Sequence, residues 1–287
     1  MTNNAKAIFL DMDGTILNHQ NKVSIETKKI IDSLRKQGKY VFIATGRAAG
    51  EIEELVPAGF EVDGIISSNG MIGHIEGLKL YKHSLSMDLV EQVIQEARTH
   101  GIYYELFPYD HPRITLAQDR EYMKKEIMDP KPEDVGMNEW LSRKQAIAED
   151  IHWTKGIQGE EFSKFYCFAR TKSHIDSWKS KLEELKKELP FSTSISSPFN
   201  VEIMVADVNK ATGIQKMLEH FKLDRADTLA IGDSNNDLPM FEYVNYAVAM
   251  KNASAEIQEI ADEVTAFSCD EEGISHFFQN YLAAEKK

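Results

Sequence analysis

Two carboxylates, Asp11 and Asp13, stand two residues apart directly after the apolar run Ile8-Phe9-Leu10. Such a run predicts a buried strand. Strand side chains alternate between faces, so both carboxylates leave the tip on one side, and Gly14 frees the turn that follows. Two anions crowded there repel each other unless a cation shares them. Magnesium suits the position, because it takes oxygen ligands from one or two carboxylates and leaves room for a substrate phosphate. The same letters also describe a plain Asp-Gly corner after a strand, and the rest of the chain decides between the two readings.

Three further apolar runs end in polar, turn-forming residues. Tyr40 to Ala44 runs into Thr45-Gly46-Arg47, Gly64-Ile65-Ile66 into Ser67-Ser68-Asn69-Gly70, and Thr228 to Ile231 into Gly232-Asp233-Ser234-Asn235-Asn236-Asp237. Between the first two strands, Ser24 is placed to cap a helix carrying Ile30, Ile31 and Leu34 on one face, with Gly38 to stop it. Strand, helix, strand at this spacing is a βαβ unit, which implies parallel strands whose tips share one edge. Ligands of an open parallel sheet bind beyond the carboxyl ends of its strands, so Asp11, Asp13, Thr45, Asn69 and Asp233 are expected to converge.

Near Lys82 the texture changes. A helix is predicted from Met87 to His100, stopped at Gly101, with a buried strand at Phe165 to Phe168 and a solvated helix from Ser177 to Glu188 ending before Pro190. From Phe191 the βα alternation is read to return, with a strand at Asn200 to Val205 and a helix at Thr212 to Phe221. The expected organisation is therefore α/β, with residues 1–82 and 191–287 forming one domain and residues 83–190 an inserted second one.

Asp11-Met-Asp-Gly-Thr, Thr45-Gly-Arg, Lys210 and Gly232-Asp-Ser-Asn-Asn-Asp, in this order and spacing, resemble the four motifs of the haloacid dehalogenase superfamily. The insert falls behind Ser68-Asn69-Gly70-Met71, which is similar to Cof-type sugar-phosphate phosphatases. The resemblance covers essentially the whole chain. It implies a Rossmann-like parallel-sheet core and an inserted α/β cap of the second type that selects the substrate.

It also implies roles. Asp11 is the expected nucleophile, forming an aspartyl-phosphate, and Asp13 the acid that protonates the leaving group and then takes a proton from water. Asp11, Asp233 and the backbone carbonyl of Asp13 are the expected ligands of Mg2+, with Asp237 supporting. Met12, Thr45, Gly46, Lys210 and Asn236 are the expected phosphate contacts. Asp207, shortly before Lys210, departs from the small residue more usual there and offers that lysine a second carboxylate. Arg47 and Glu202 stay open between substrate contact and local ion pairing.

Composition narrows the partners. The chain has 287 residues, and 33 basic against 46 acidic side chains give a net charge of -13, which disfavours nonspecific binding to nucleic acid or an anionic membrane. Cys167 and Cys269 lie far apart without metal-ligand spacing, so neither a disulfide framework nor a zinc site is predicted. Met1 to Lys6 lack the apolar core of a leader, and a cytoplasmic protein is expected. His111, His152 and His174 read as surface or structural residues. Tyr103, Tyr104, Phe107 and Trp153 are candidate cap contacts, although strand aromatics are more often core.

The expected substrate is a small phosphorylated metabolite: a sugar phosphate, or a cofactor such as FMN or pyridoxal phosphate. A phosphomutase using the same aspartyl-phosphate and a non-catalytic binder of phosphorylated ligands are the alternatives.

Overall fold

The computed structural model describes residues 5–285, so most of the N-terminal stretch read for a leader lies outside the described residues. In chain order the elements begin with β1 (Ala7–Leu10), α1 (Ile25–Lys36), β2 (Tyr40–Ala44), β3 (Gly64–Ser67), β4 (Ile72–Ile75) and β5 (Leu78–Lys82). A second group follows: α2 (Met87–His100), β6 (Tyr103–Pro108), β7 (Ile114–Leu116), α3 (Arg120–Glu126), α4 (Met137–Gln145), β8 (His152–Thr154), β9 (Phe162–Phe168), α5 (Lys172–Leu185), β10 (Phe191–Ser194) and β11 (Asn200–Val205). The chain closes with α6 (Lys210–Phe221), β12 (Thr228–Gly232), α7 (Leu238–Tyr243), β13 (Tyr246–Ala249), α8 (Ala255–Ile260), β14 (Glu263–Val264) and α9 (Gly273–Glu285). No helix among the described residues is long and apolar enough to cross a membrane.

One compact unit comprises residues 1–82 and 208–287. Its eight-stranded sheet runs in the order β14-β13-β12-β1-β2-β3-β4-β5, with parallel pairing from β14 through β3 and an antiparallel hairpin, β4-β5, at the other edge. The central strand β1 is buried on both faces, and its alternation assigns each side chain a layer. Ile8 and Leu10 pack with Ile31 and Leu34 of α1 and with Ile274 and Phe278 of α9. Ala7 and Phe9 pack on the opposite face with Ile214 and Met217 of α6 and Met240 of α7. Phe9 stacks on Phe42 of β2 at 4.8 Å between ring centres. The result is an α/β/α layering in which the two ends of the polypeptide share one sheet.

Local signals explain the helix starts. Ser24 accepts the Thr27 N–H at the head of α1, and Gly38, with φ of 81°, lets the chain turn back after it. Asn209 caps α6 by accepting the Thr212 N–H. That cap starts the helix at Lys210, two residues before the predicted start, and sets the lysine in its first turn.

The other unit comprises residues 83–207. The return to the first unit, read at Phe191, thus comes at Val208. The reason is strand pairing: β11 lies antiparallel to β9, with Asn200 opposite Phe168 and Ile203 opposite Phe165, and β10 pairs with β11. Both strands therefore complete the sheet β10-β11-β9-β6-β7-β8 and do not resume the βα alternation. Their apolar content looks alike in either sheet, so composition alone does not separate the two placements.

Inside this second unit, Glu105 is fully buried and accepts from the Tyr103 hydroxyl at 2.5 Å, from Arg143 at 2.7 Å and from Arg113 at 2.8 Å. Burial works against the Arg143 charge, but Glu105 outweighs it, and the guanidinium is held above its ordinary pKa. Glu202 pairs with Lys164 at 2.9 Å, which resolves it as a local ion pair of this sheet. Tyr103, Tyr104 and Phe107 are buried core, while Trp153 lies partly buried beneath the Arg120 guanidinium. His111 pairs with Glu160 and His174 bonds the His100 carbonyl. Replacing Arg143 by alanine leaves a buried carboxylate with one guanidinium fewer, and a loss of about 3 kcal/mol is expected in urea unfolding. Wild-type stability in that variant would mean the Glu105 network contributes nothing.

Candidate active site

The tips of β1, β2 and β12 meet at one edge because these strands are parallel neighbours in register, with Leu10 opposite both Ile231 and Ile43. Asp11 follows β1 at once and is 2% exposed. One ligand oxygen from each of Asp11, Asp233 and Asp237 falls within 4.8 Å of the others, although sequence separates them widely. The expected convergence of Asp11 with Asp233 is what the structure shows.

Lys210 holds the cluster together. Its fully buried ammonium donates to Asp11 at 2.5 Å and to Asp237 at 2.6 Å. The ammonium thus turns to these two carboxylates and not to the neighbouring Asp207. Burial lowers the lysine's pKa, yet Asp11 and Asp237 more than offset it and hold the group above its ordinary value.

With all three ionised, the carboxylates against one ammonium would carry a formal charge of minus two. Charges this close repel by about 3–4 kcal/mol per pair at an effective dielectric of about 20, a large fraction of a domain's stability. Burial first, then the charges of its neighbours, push Asp11 and Asp233 above the ordinary carboxylate range.

The donor set fits a hard divalent cation. Asp237 has spent its oxygens, one on Lys210 and the other on the N–H groups of Asp233 at 2.9 Å and Ser234 at 3.0 Å. It orients the loop and the lysine. Asp233 Oδ1, in contrast, is buried with no hydrogen-bond partner among the described residues. A buried carboxylate oxygen without a donor is costly, and a cation is the partner that relieves it.

Two glycines permit the approach. A Cβ on Gly14, whose φ is +72°, would stand 2.2 Å from Asp233 Oδ2, and one on Gly232 would stand 2.4 Å from Asp237 Cγ. Any side chain at either position evicts a carboxylate.

Around this cluster, the remaining predicted residues take distinct positions. Asp13 is exposed, and its carboxylate is gripped by the Arg47 guanidinium, Nε at 2.8 Å and Nη2 at 2.5 Å. Arg47 is therefore an ion-pair partner of Asp13, a role that its place beside Thr45-Gly46 did not distinguish from substrate contact. Thr45 is buried, and its Oγ1 accepts the Arg47 N–H at 3.1 Å. Met12 is buried, its carbonyl receiving the Leu17 N–H at 2.8 Å. Asn236 donates to Asn69 Oδ1 at 3.3 Å and accepts from Ser234 Oγ at 2.6 Å. Gly46 packs against the same two amides: a Cβ there would lie 3.2 Å from Asn69 Oδ1.

Asn69 itself sits in the left-handed region, φ 53°, in the turn that joins β3 to antiparallel β4, and its side-chain oxygen meets Asn236. Ser234 had no assigned role; its position between Asp233 and Asn236 is the only signal that points to it.

Comparison with known proteins places these residues in context. Residues 8–278 match the family model described as haloacid dehalogenase-like hydrolase. The chain is 28% identical over 290 residues to the Bacillus subtilis protein named 5-amino-6-(5-phospho-D-ribitylamino)uracil phosphatase YwtE, covering 98% of this chain and 99% of that one. Among solved structures, a haloacid dehalogenase-like hydrolase from B. subtilis superposes with a TM-score of 0.79 at 24% identity, covering 96% of this chain and 99% of the other. The subclass IIB sugar phosphatase BT4131 superposes with a TM-score of 0.70 at 21% identity, covering 96% and 98%.

The charge balance generates a prediction with a definite sign. A carboxyl whose folded pKa is raised stabilises the fold at low pH and loses that contribution as pH rises from about 4 through its folded value. In excess chelator, therefore, wild-type stability falls with rising pH more steeply than that of Asp233→Asn, and at pH 8 the variant melts higher. A variant that melts lower than wild type at pH 8 would show that the cluster is not under repulsive strain.

Proposed function

This chain belongs to the haloacid dehalogenase-like hydrolase family, and from that premise we propose that it is a magnesium-dependent phosphatase of small phosphorylated metabolites. The observation that carries the reading is the buried Asp11–Lys210–Asp237 chain beside Asp233, a fixed nucleophile next to an orphaned ligand oxygen.

In this reading Asp11 attacks phosphorus in line and forms an aspartyl-phosphate, splitting one difficult displacement into two easier ones. Lys210 keeps the Asp11 carboxylate aimed and offsets the repulsion between it and an anionic substrate. Asp13 protonates the leaving oxygen and then accepts a proton from the attacking water. The Arg47 grip fixes where its carboxyl waits, and Asp13 must give up part of that grip to reach the leaving group. The Met12 and Gly46 backbone, the Thr45 hydroxyl and the Asn236 amide surround the transferring group, where positioning and charge do most of the catalytic work. Asp11, Asp233 and the Asp13 carbonyl would hold Mg2+, which when bound neutralises phosphoryl charge and keeps the nucleophile in line. Asp237 supports them through Lys210 and the loop amides.

For the substrate we favour a sugar phosphate or a phosphorylated cofactor such as FMN or pyridoxal phosphate, chosen by the unit of residues 83–207 acting as the cap. The relatives' names point the same way. YwtE is named for a phosphoribityl compound and BT4131 for sugar phosphates. The free, buried thiol Cys167 suits action in the reducing cytoplasm.

The test is release of inorganic phosphate from p-nitrophenyl phosphate and from a panel of phosphorylated sugars and cofactors. Turnover is expected to need magnesium and to vanish in excess EDTA, and Asp11→Asn should lose at least about three orders of magnitude in kcat. Near-normal turnover by Asp11→Asn, or full activity in EDTA, would overturn the proposal. Asp13→Asn should slow both halves of the reaction and, with a substrate whose leaving group needs no proton, accumulate the phosphoenzyme.

A further inference from the structure

A second cluster of metal-ligating side chains lies apart from the carboxylates just described. His19, Cys269 and Asp270 bring an imidazole nitrogen, a thiol and a carboxylate oxygen within 4.8 Å of one another. His19 comes from the hairpin-like loop after Asp11-Met12-Asp13-Gly14, where Leu17 bridges to Val23, and the other two come from the turn before α9. The cysteine and the histidine are 250 positions apart. Motif spacing is blind to such a site, which is why the sequence predicted no zinc ligands at Cys269.

We propose that these three residues form a site for a divalent transition ion of the zinc type, tying the loop of residues 17–23 to the C-terminal turn. The donor set is the first argument. Nitrogen and sulfur together select zinc or a neighbouring transition ion over magnesium or calcium, which take oxygen alone. Geometry is the second. Cys269 Sγ lies 3.9 Å from His19 Nδ1, and tetrahedral coordination at ordinary zinc bond lengths puts sulfur and nitrogen about 3.6 Å apart. His19 Nδ1 and Asp270 Oδ2 are hydrogen-bonded, so a proton now occupies the line between two ligand atoms. An entering ion replaces that proton, opens the pair to the roughly 3.3 Å that tetrahedral coordination requires and takes the thiolate as its third ligand, with the protons released to solvent.

The backbone around the ligands is already fixed. Asp270 Oδ1 accepts the His19 N–H at 2.9 Å, so the loop and the turn are joined before any ion arrives. The Cys269 N–H donates to Asn252 Oδ1 at 2.9 Å, and Asn252 donates in turn to the Gly14 carbonyl at 2.8 Å. His19 and Asp270 are exposed and Cys269 is partly buried, which leaves a solvent-facing fourth position for water. The same loop presents Asn21, whose Oδ1 lies 3.5 Å from the Arg47 guanidinium that grips Asp13. An ion at His19 would therefore stiffen the loop beside that pair.

Cobalt is a direct probe, because a cobalt–thiolate bond gives a near-ultraviolet charge-transfer band that carboxylate ligands alone do not. Tag-free full-length chain, stripped with chelator and titrated with Co2+, is expected to develop this band to saturation, with one thiolate-bound Co2+ per chain. The band should appear equally in Asp233→Asn, in which the carboxylate site is crippled, and be abolished in Cys269→Ser and in His19→Ala. Zn2+ should displace it, and in the Asp233→Asn background Zn2+ should raise the melting temperature, an effect lost when His19→Ala is added. Absence of the band in wild type, its persistence in either ligand variant, or its loss in Asp233→Asn would each overturn the proposal. None of these readouts depends on phosphatase activity, so failure here and failure of the functional reading are separable.

Discussion

Mutual repulsion among Asp11, Asp233 and Asp237, restrained by a single buried ammonium, is the constraint around which the rest of the first unit is built. One lysine does not neutralise three carboxylates, and burial removes the solvent that would otherwise screen them. A fold tolerates such an arrangement only if the surrounding structure over-determines it. Here β1 and β12 are central, fully buried parallel neighbours, so their tips cannot drift apart. Lys210 is placed by the Asn209 cap at the head of α6, and Asp237 is anchored by the loop amides of residues 233 and 234. Stored electrostatic energy of this kind is what a divalent ion would relieve on binding.

The arrangement also explains why both ends of the polypeptide are needed. Asp11 and Asp13 directly follow the first strand, whereas the lysine and the remaining carboxylates arrive only after residue 208. The unit of residues 83–207 can therefore vary without disturbing the cluster, and its own sheet is held by a different set of interactions, centred on Glu105. Function rests on the site and not on the fold, because likeness at 21–24% identity to solved hydrolases speaks for the architecture alone.

Much of the site was legible because its residues sit where apolar runs stop. Asp11, Thr45 and Asp233 each follow a short buried strand, and parallel βαβ connectivity then forces their convergence. What stayed hidden shares a different cause. Arg47 and Asp13 are 34 positions apart and their pairing depends on side-chain reach, so sequence left two roles open. Strands β10 and β11 carry the same alternation in either sheet, and only pairing partners decide which they join. The His19, Cys269 and Asp270 cluster unites opposite chain ends through two loops, a contact that no local pattern encodes.

Calorimetric titration of the chelator-stripped protein with Mg2+ at neutral pH tests the central claim most directly, because it reads the carboxylate cluster without any substrate. Wild type is expected to bind one Mg2+ with release of protons, and Asp233→Asn to bind at least about a hundredfold more weakly. Equal affinity in wild type and Asp233→Asn would mean that the ion does not answer to this cluster, and the account would fall.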